Sequence, residues 1–170
     1  MLKQALIGKI RGRSAHVAVI GLGYVGLPLS VAFADAGLAV TGIDVDPAKA
    51  ATINSGASYV ADVPDLEVAR LVAQGRLAAT TDFAALAAAD AAVVCVPTPL
   101  RKTRDPDISY VVSAADEVAR HAHQAMLVVL ESTSYPGTTD EVNSHMPHYV
   151  VDKVTDALNG TPSRLGDRAS

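Results

Sequence analysis

Short apolar runs along this chain alternate with stretches in which apolar residues recur every three or four positions. HVAVI (16–20), LAVTGI (38–43), RLAATT (76–81), DAAVVCVP (90–97) and MLVVLES (126–132) read as strands, the last two as buried ones. Helices are expected between them. Leu2, Leu6 and Ile10 give residues 2–12 a marginal amphipathic face. Val25, Leu29, Ala32, Phe33 and Ala36 mark a second helix, stopped by Gly37. Pro47 suits the first turn of a helix running to about Ser55, with Gly56 as its stop. Residues 57–64 read as a loop, Asp65 as the cap of a helix over 66–74, and Asp82 as the cap of a short Ala-rich helix. A proline-rich loop from Pro97 leads to Ser109, read as the cap of the helix SYVVSAADEVARHA. Strands alternating with helices predict an α/β fold, a doubly wound parallel sheet with an extra N-terminal helix and a C-terminal helix. The expected boundaries are an N-terminal helix over 1–14, the sheet domain over 15–145, a helix over 146–159, and a disordered tail over 160–170.

The stretch His16 to Asp44 is the most informative. Strand HVAVI runs into GLGYVG, where Gly21, Gly23 and Gly26 fall at G-x-G-x-x-G spacing, then a helix, then a strand ending on Asp44. Gly21 allows a sharp turn out of the strand, Gly23 lets a pyrophosphate approach the backbone, and Gly26 lets the helix pack closely. The helix then begins with unpaired N–H groups and a positive dipole end. Asp44 lies 23 residues after Gly21 and suits a ribose diol, which favours NAD over NADP. Glycines at this spacing also punctuate ordinary turns. The complete unit predicts a Rossmann-like dinucleotide site, with a methyltransferase site as an alternative that uses the same glycine turn and acid.

Composition narrows the partners. The chain has 170 residues, suits one domain, and is 49% hydrophobic. Of its 14 basic residues four (Lys3, Lys9, Arg11, Arg13) precede every acid, leaving 10 bases against 18 acids in the remainder. Such a body argues against nucleic acid, and the basic start reads as a solvated helix face. No run of 18 apolar residues occurs, so no membrane span is expected, and a single cysteine fits a reducing, cytoplasmic setting.

Four further side chains bear on chemistry. Lys49, five residues after Asp44, either reaches the adenosine end of a cofactor or is a solvated helix lysine. Thr98, between Pro97 and Pro99, and Thr133, in ESTSYPGTT, each follow a strand, where open α/β sheets bind ligands. Thr98 could also be a turn residue, and Thr133 could contact the nicotinamide half or order a water. Cys95, inside AVVCVP with no base or cation beside it in sequence, reads as core rather than nucleophile. The histidines 16, 121, 123, 145 and 148 lack convincing metal spacing, so no metal is expected.

GLGYVGLPL, TGIDVD with Lys49, VCVPTP followed by DPDISYV, and ESTSYPGTTDE resemble the UDP-glucose/GDP-mannose dehydrogenase family over about residues 3–143. Within it the likeness is to the UDP-N-acetylglucosamine 6-dehydrogenase branch, which also starts with a short basic helix. The resemblance implies NAD-dependent oxidation of a UDP-sugar primary alcohol to a uronic acid, in two hydride transfers through a cysteine thioester, for polysaccharide precursors. It implies Tyr24 and Val25 along the pyrophosphate, Asp44 and Lys49 at the adenosine ribose, and Thr98 and Thr133 near the nicotinamide. The family's cysteine motif and central helical domain have no counterpart here, and 146–159 resembles a segment found much later in the family. The chain therefore reads as a truncated NAD-binding domain, inactive alone, with a UDP-sugar as partner only if missing domains complete the site. The alternative is a non-catalytic dinucleotide-binding module associating with a full-length paralogue, and either a homo- or a hetero-oligomer is open to the chain.

Overall fold

A computed structural model describes residues 2–99 and 107–131 of the chain. Helix α1 (Leu2–Arg11) precedes strand β1 (His16–Ile20) and helix α2 (Gly26–Asp35). Strand β2 (Ala39–Ile43), helices α3 (Pro47–Asn54) and α4 (Asp65–Ala73), and strand β3 (Leu77–Thr80) follow. A 3-10 helix (Phe83–Ala88), strand β4 (Ala91–Val94), helix α5 (Ser109–His121) and strand β5 (Leu127–Leu130) complete the order. The five strands form one sheet in the order β3-β2-β1-β4-β5, and every pairing is parallel. The expected helix over 146–159 and tail over 160–170 lie outside the described residues, as does Thr133.

Two cores form because successive strand residues face opposite ways. On one side Val17, Val19 and Val40 pack with Leu27, Val31, Val68 and Leu71 of α2 and α4. On the other, Ala18, Ile20, Ile43 and Val94 pack with Leu86 of the 3-10 helix and Ala114 and Val118 of α5. Both faces of β1 and β4 are thereby covered, which explains their continuous apolar runs.

Four local expectations need correction. Helix α2 buries Leu27, Ser30, Val31 and Ala34, not the stripe from Val25 to Ala36. This helix is apolar nearly all round, so period alone leaves its rotation open; Leu29 and Phe33 end at the rim of the core. Asp65 is the first residue of α4, preceded by Pro64, and its carboxylate accepts the Ser58 N–H instead of capping the helix. Ser109 likewise begins α5, and its own N–H is taken by Asp107. Asp82 does cap, accepting from the Ala84 N–H at 2.9 Å. Strand β5 is not buried: it is the last strand of the sheet among the described residues, with Leu127 43% and Val129 36% exposed, while Val128 and Leu130 pack on the α5 side.

Helix α1 buries none of its residues, and a charge holds it. Lys9 Nζ donates to Asp90 Oδ1 at 2.5 Å, and Asp90 Oδ2 accepts the His16 N–H at 2.9 Å. One carboxylate thus joins α1 to the beginnings of the two central strands. Partial burial works to raise the Asp90 pKa, but the bonds from Lys9 and His16 outweigh it and hold the carboxyl below its ordinary value. A lowered pKa in the folded state means stability that is present above the unfolded value, about 4, and is lost as pH falls from there through the lower folded value. Asp90→Asn is expected to cost about 1 kcal/mol at pH 7 and to flatten the acid limb of a urea-unfolding pH series between about pH 5 and 3. A parallel acid limb in parent and variant would remove Asp90 from this account.

Candidate functional site

The sheet order reverses direction at β1 and β4, which are neighbours. Crossovers leave them towards opposite faces, so a crevice opens at their carboxyl ends. The glycine turn lies there. Gly21 has φ +90°, and a Cβ on it would lie 2.9 Å from the Cys95 carbonyl oxygen. A Cβ on Gly26 would lie 1.7 Å from the Gly21 carbonyl oxygen and 3.4 Å from Cys95 Cβ. The chain's own packing therefore demands both. Gly23 differs, because a Cβ there would meet nothing within 4 Å. Its missing side chain leaves an open cradle at the start of α2, where Val25 supplies no side-chain cap.

Leu22 fixes the turn from three directions. Its side chain is buried over Gly42 of β2, where a Cβ would come within 2.6 Å of Leu22 Cδ2. Its N–H donates to Asp44 Oδ2 at 2.8 Å, and its carbonyl accepts from the Tyr59 hydroxyl at 2.6 Å. Asp44, 7% exposed, also accepts from Lys49 Nζ on Oδ2 at 3.0 Å and from the Asp46 N–H on Oδ1 at 3.0 Å. This charge is tolerable under cover because it is paired and both of its oxygens accept hydrogen bonds. Burial, then the carboxylates of Asp44 and Asp46, push the Tyr59 phenol well above its ordinary value, so it remains a donor.

Two clefts meet at this pair. One, about 370 Å³, is walled by Ile43, Val45, Phe83, Val96, Tyr110 and Ala114. The other, about 460 Å³, runs past Gly23, Tyr24 and Val25 to Thr98 and Glu131. Gly21, Asp44 and Lys49 line both, so the clefts form one trough with the ion pair at its waist. Cys95 touches the trough floor but is only 7% exposed. Burial, with the Glu131 charge adding, pushes its thiol up to about 11. At pH 7 the thiol is then protonated.

The structure gathers Gly21, Gly23, Tyr24, Val25, Asp44, Lys49 and Thr98 around this trough. Gly26 stands behind it as packing. The sequence offered no signal for Tyr59, Phe83 or Tyr110; Glu131 was missed although the strand-end rule that selects Thr98 also selects it, because it follows β5. Among the described residues no group of three or more His, Cys, Asp or Glu side chains could hold a metal, and no helix is long and apolar enough to cross a membrane.

The family model described as "UDP-glucose/GDP-mannose dehydrogenase family, NAD binding domain" matches residues 15–160. The chain belongs to this family. Its NAD-binding domain is 40% identical over 129 residues to the NDP-N-acetyl-D-galactosaminuronic acid dehydrogenase of Ralstonia nicotianae, covering 75% of this chain and 30% of that protein. It is 41% identical over 131 residues to the UDP-N-acetyl-D-mannosamine dehydrogenase of Escherichia coli K12, with 75% and 30% covered. The structure of the UDP-D-ManNAc dehydrogenase of Pyrococcus horikoshii aligns with a TM-score of 0.72 at 33% identity, covering 82% of this chain and 32% of that one. The chain thus spans about 30% of the length of the curated relatives it matches. These relatives carry mannosamine and galactosaminuronic acid names, so the family likeness holds while the likeness to the UDP-N-acetylglucosamine branch is slightly off.

The glycine geometry separates packing from ligand access. Gly26→Ala should destabilise the fold by about 3 kcal/mol, because the methyl has only backbone to displace. Gly23→Ala should leave the thermal midpoint within a few degrees of the parent. Equal midpoints for the two variants would contradict the packing described.

Proposed function

We propose that the trough takes up NAD and that this chain supplies the cofactor half of an NAD-dependent nucleotide-sugar dehydrogenase. The observation that carries this reading is the waist of the trough, where both clefts share Asp44 and Lys49 beside the open position at Gly23. An adenine fits the apolar slot between Phe83, Val96 and Tyr110. Its ribose falls at Asp44 and Lys49, whose carboxylate accepts from the diol and would repel a 2′-phosphate. The pyrophosphate then lies over Gly23 and the start of α2, where backbone N–H groups and the helix dipole favour an anion. Tyr24 and Val25 flank it. The nicotinamide half extends towards Thr98 and Glu131.

NAD when bound supplies hydride acceptance, and the protein's part is to hold it and exclude water. The substrate class is a UDP-linked N-acetylhexosamine, by analogy with the relatives, oxidised at its primary alcohol. That oxidation requires groups that hold the sugar carbon within about 3.5 Å of the nicotinamide and a thiolate for the second step. Cys95 is covered and protonated, and its thiol cannot serve. The sugar and its oxidation therefore belong to this chain only in company with segments that complete the site.

Calorimetric titration tests the binding half. The parent is expected to bind NAD more tightly than NADP. Gly23→Val should weaken NAD by at least about tenfold, and Asp44→Asn should weaken it about fivefold and narrow the preference over NADP. If both variants bound NAD as the parent does, the assigned trough would be wrong.

Absorbance at 340 nm tests the other half. The chain alone is expected to form no steady-state NADH from UDP-glucose or UDP-linked N-acetylhexosamines. Turnover that survived Cys95→Ser and vanished in Gly23→Val would contradict this.

A further inference from the structure

Tyr59 sits in the loop between α3 and α4, outside every sequence feature of a dinucleotide site, yet its hydroxyl reaches the glycine turn. It donates to the Leu22 carbonyl at 2.6 Å, across 37 residues of chain. The same ring stands 6.0 Å from Lys49 Nζ, which itself holds Asp44. The neighbouring peptide of Leu22 is fixed independently, by its N–H on Asp44. The geometry of a peptide bond makes the second contact consequential. No peptide among the described residues is cis, so the Leu22 carbonyl and the Gly23 N–H point in opposite directions from one rigid plane. A hydroxyl that draws the carbonyl towards Tyr59 turns the Gly23 N–H away from it. With Asp44 holding the preceding peptide, the plane has no remaining freedom to rotate.

We infer that Tyr59 is a positioning residue of the NAD site, which holds the Leu22–Gly23 peptide so that the Gly23 N–H is presented to the pyrophosphate. This rests on the reading that the trough takes NAD. Tyr59 does not touch the cofactor in this arrangement; it acts through Leu22. The loop from Ala57 to Val63 is thereby part of the site, and the ring also stands beside Lys49. The phenol stays protonated beside Asp44 and Asp46 and so remains a donor to the Leu22 carbonyl.

Tyr59→Phe removes the hydroxyl and keeps the ring. Its affinity for NAD and for ADP-ribose, which both carry the pyrophosphate, should fall about 5- to 10-fold. Adenosine, which has no phosphate, should bind the variant within about twofold of the parent, followed by NMR shift titration at millimolar concentration. A residue that only stabilised the fold would lower the melting midpoint and shift both classes of ligand together. Equal losses for ADP-ribose and adenosine, an ADP-ribose affinity unchanged from the parent, or loss of the cooperative melt in Tyr59→Phe would each overturn the proposal. Gly23→Val, measured alongside, separates the two readings. If it left NAD binding intact, the trough itself would be misassigned; if it abolished binding while Tyr59→Phe did not change it, only the role of Tyr59 would fail.

Discussion

The hydrogen bond from the Leu22 amide to the Asp44 carboxylate joins the turn after β1 to the end of β2, and the arrangement of the site depends on it. Two adjacent parallel strands end side by side, and each must release its chain without leaving polar groups buried and unpaired. Asp44 resolves both ends at once. It accepts from Leu22 on one side and from Asp46 and Lys49 on the other, so the turn and the first residues after β2 share one acceptor. The carboxylate that would meet a ribose is therefore placed by the same bonds that shape the glycine turn. A site built this way is preorganised, because its polar groups are oriented before any ligand arrives.

Packing sets the second constraint. The Leu22 side chain fills a notch that exists only because residue 42 is glycine, and Gly26 passes so close to the Gly21 carbonyl that no other residue fits. These contacts bring α2 down onto the sheet and point its first turn into the crevice between β1 and β4. Gly23, alone of the three turn glycines, is not required by any neighbour among the described residues. Its openness faces the trough, which is what a closely approaching phosphate would need. Core and site are thus one construction: the residues that bury Leu22 also aim the backbone at the ligand.

Much of this was legible in the sequence because it is local. The strand, the glycine spacing, the helix and the terminal acid lie within 29 consecutive residues, and each has its own physical signature. That the sheet is parallel and doubly wound followed from alternation of elements, while the order of its strands did not. What escaped was set by contacts distant in sequence or by choices that periodicity leaves open. Helix α2 is apolar on several faces, and the turn decided which face was buried. Asp65 and Ser109 could have capped their helices, but Pro64 and Asp107 already occupied or served those positions. The apolar run at β5 looked like a buried strand because run length cannot reveal that Leu127 and Val129 are left exposed. Tyr59 reaches Leu22 only after α3 folds back, and nothing in ASYVADVP distinguishes that tyrosine from a loop residue. Cys95 was read as core from its neighbours alone, and the buried thiol beneath the trough agrees with that reading.

The central claim is that one trough, with Asp44 and Lys49 at its waist, receives the whole dinucleotide. Titration of isotope-labelled protein with NAD, followed through the backbone amide signals, tests it directly. The account predicts that the largest shifts fall at residues 21–26, 44–49 and 95–98, with smaller ones at Phe83 and along the first turn of α5, while α1 and the outer face of β5 stay unchanged. Shifts concentrated on α1 or β5, with the Gly23 amide unmoved at saturation, would contradict it.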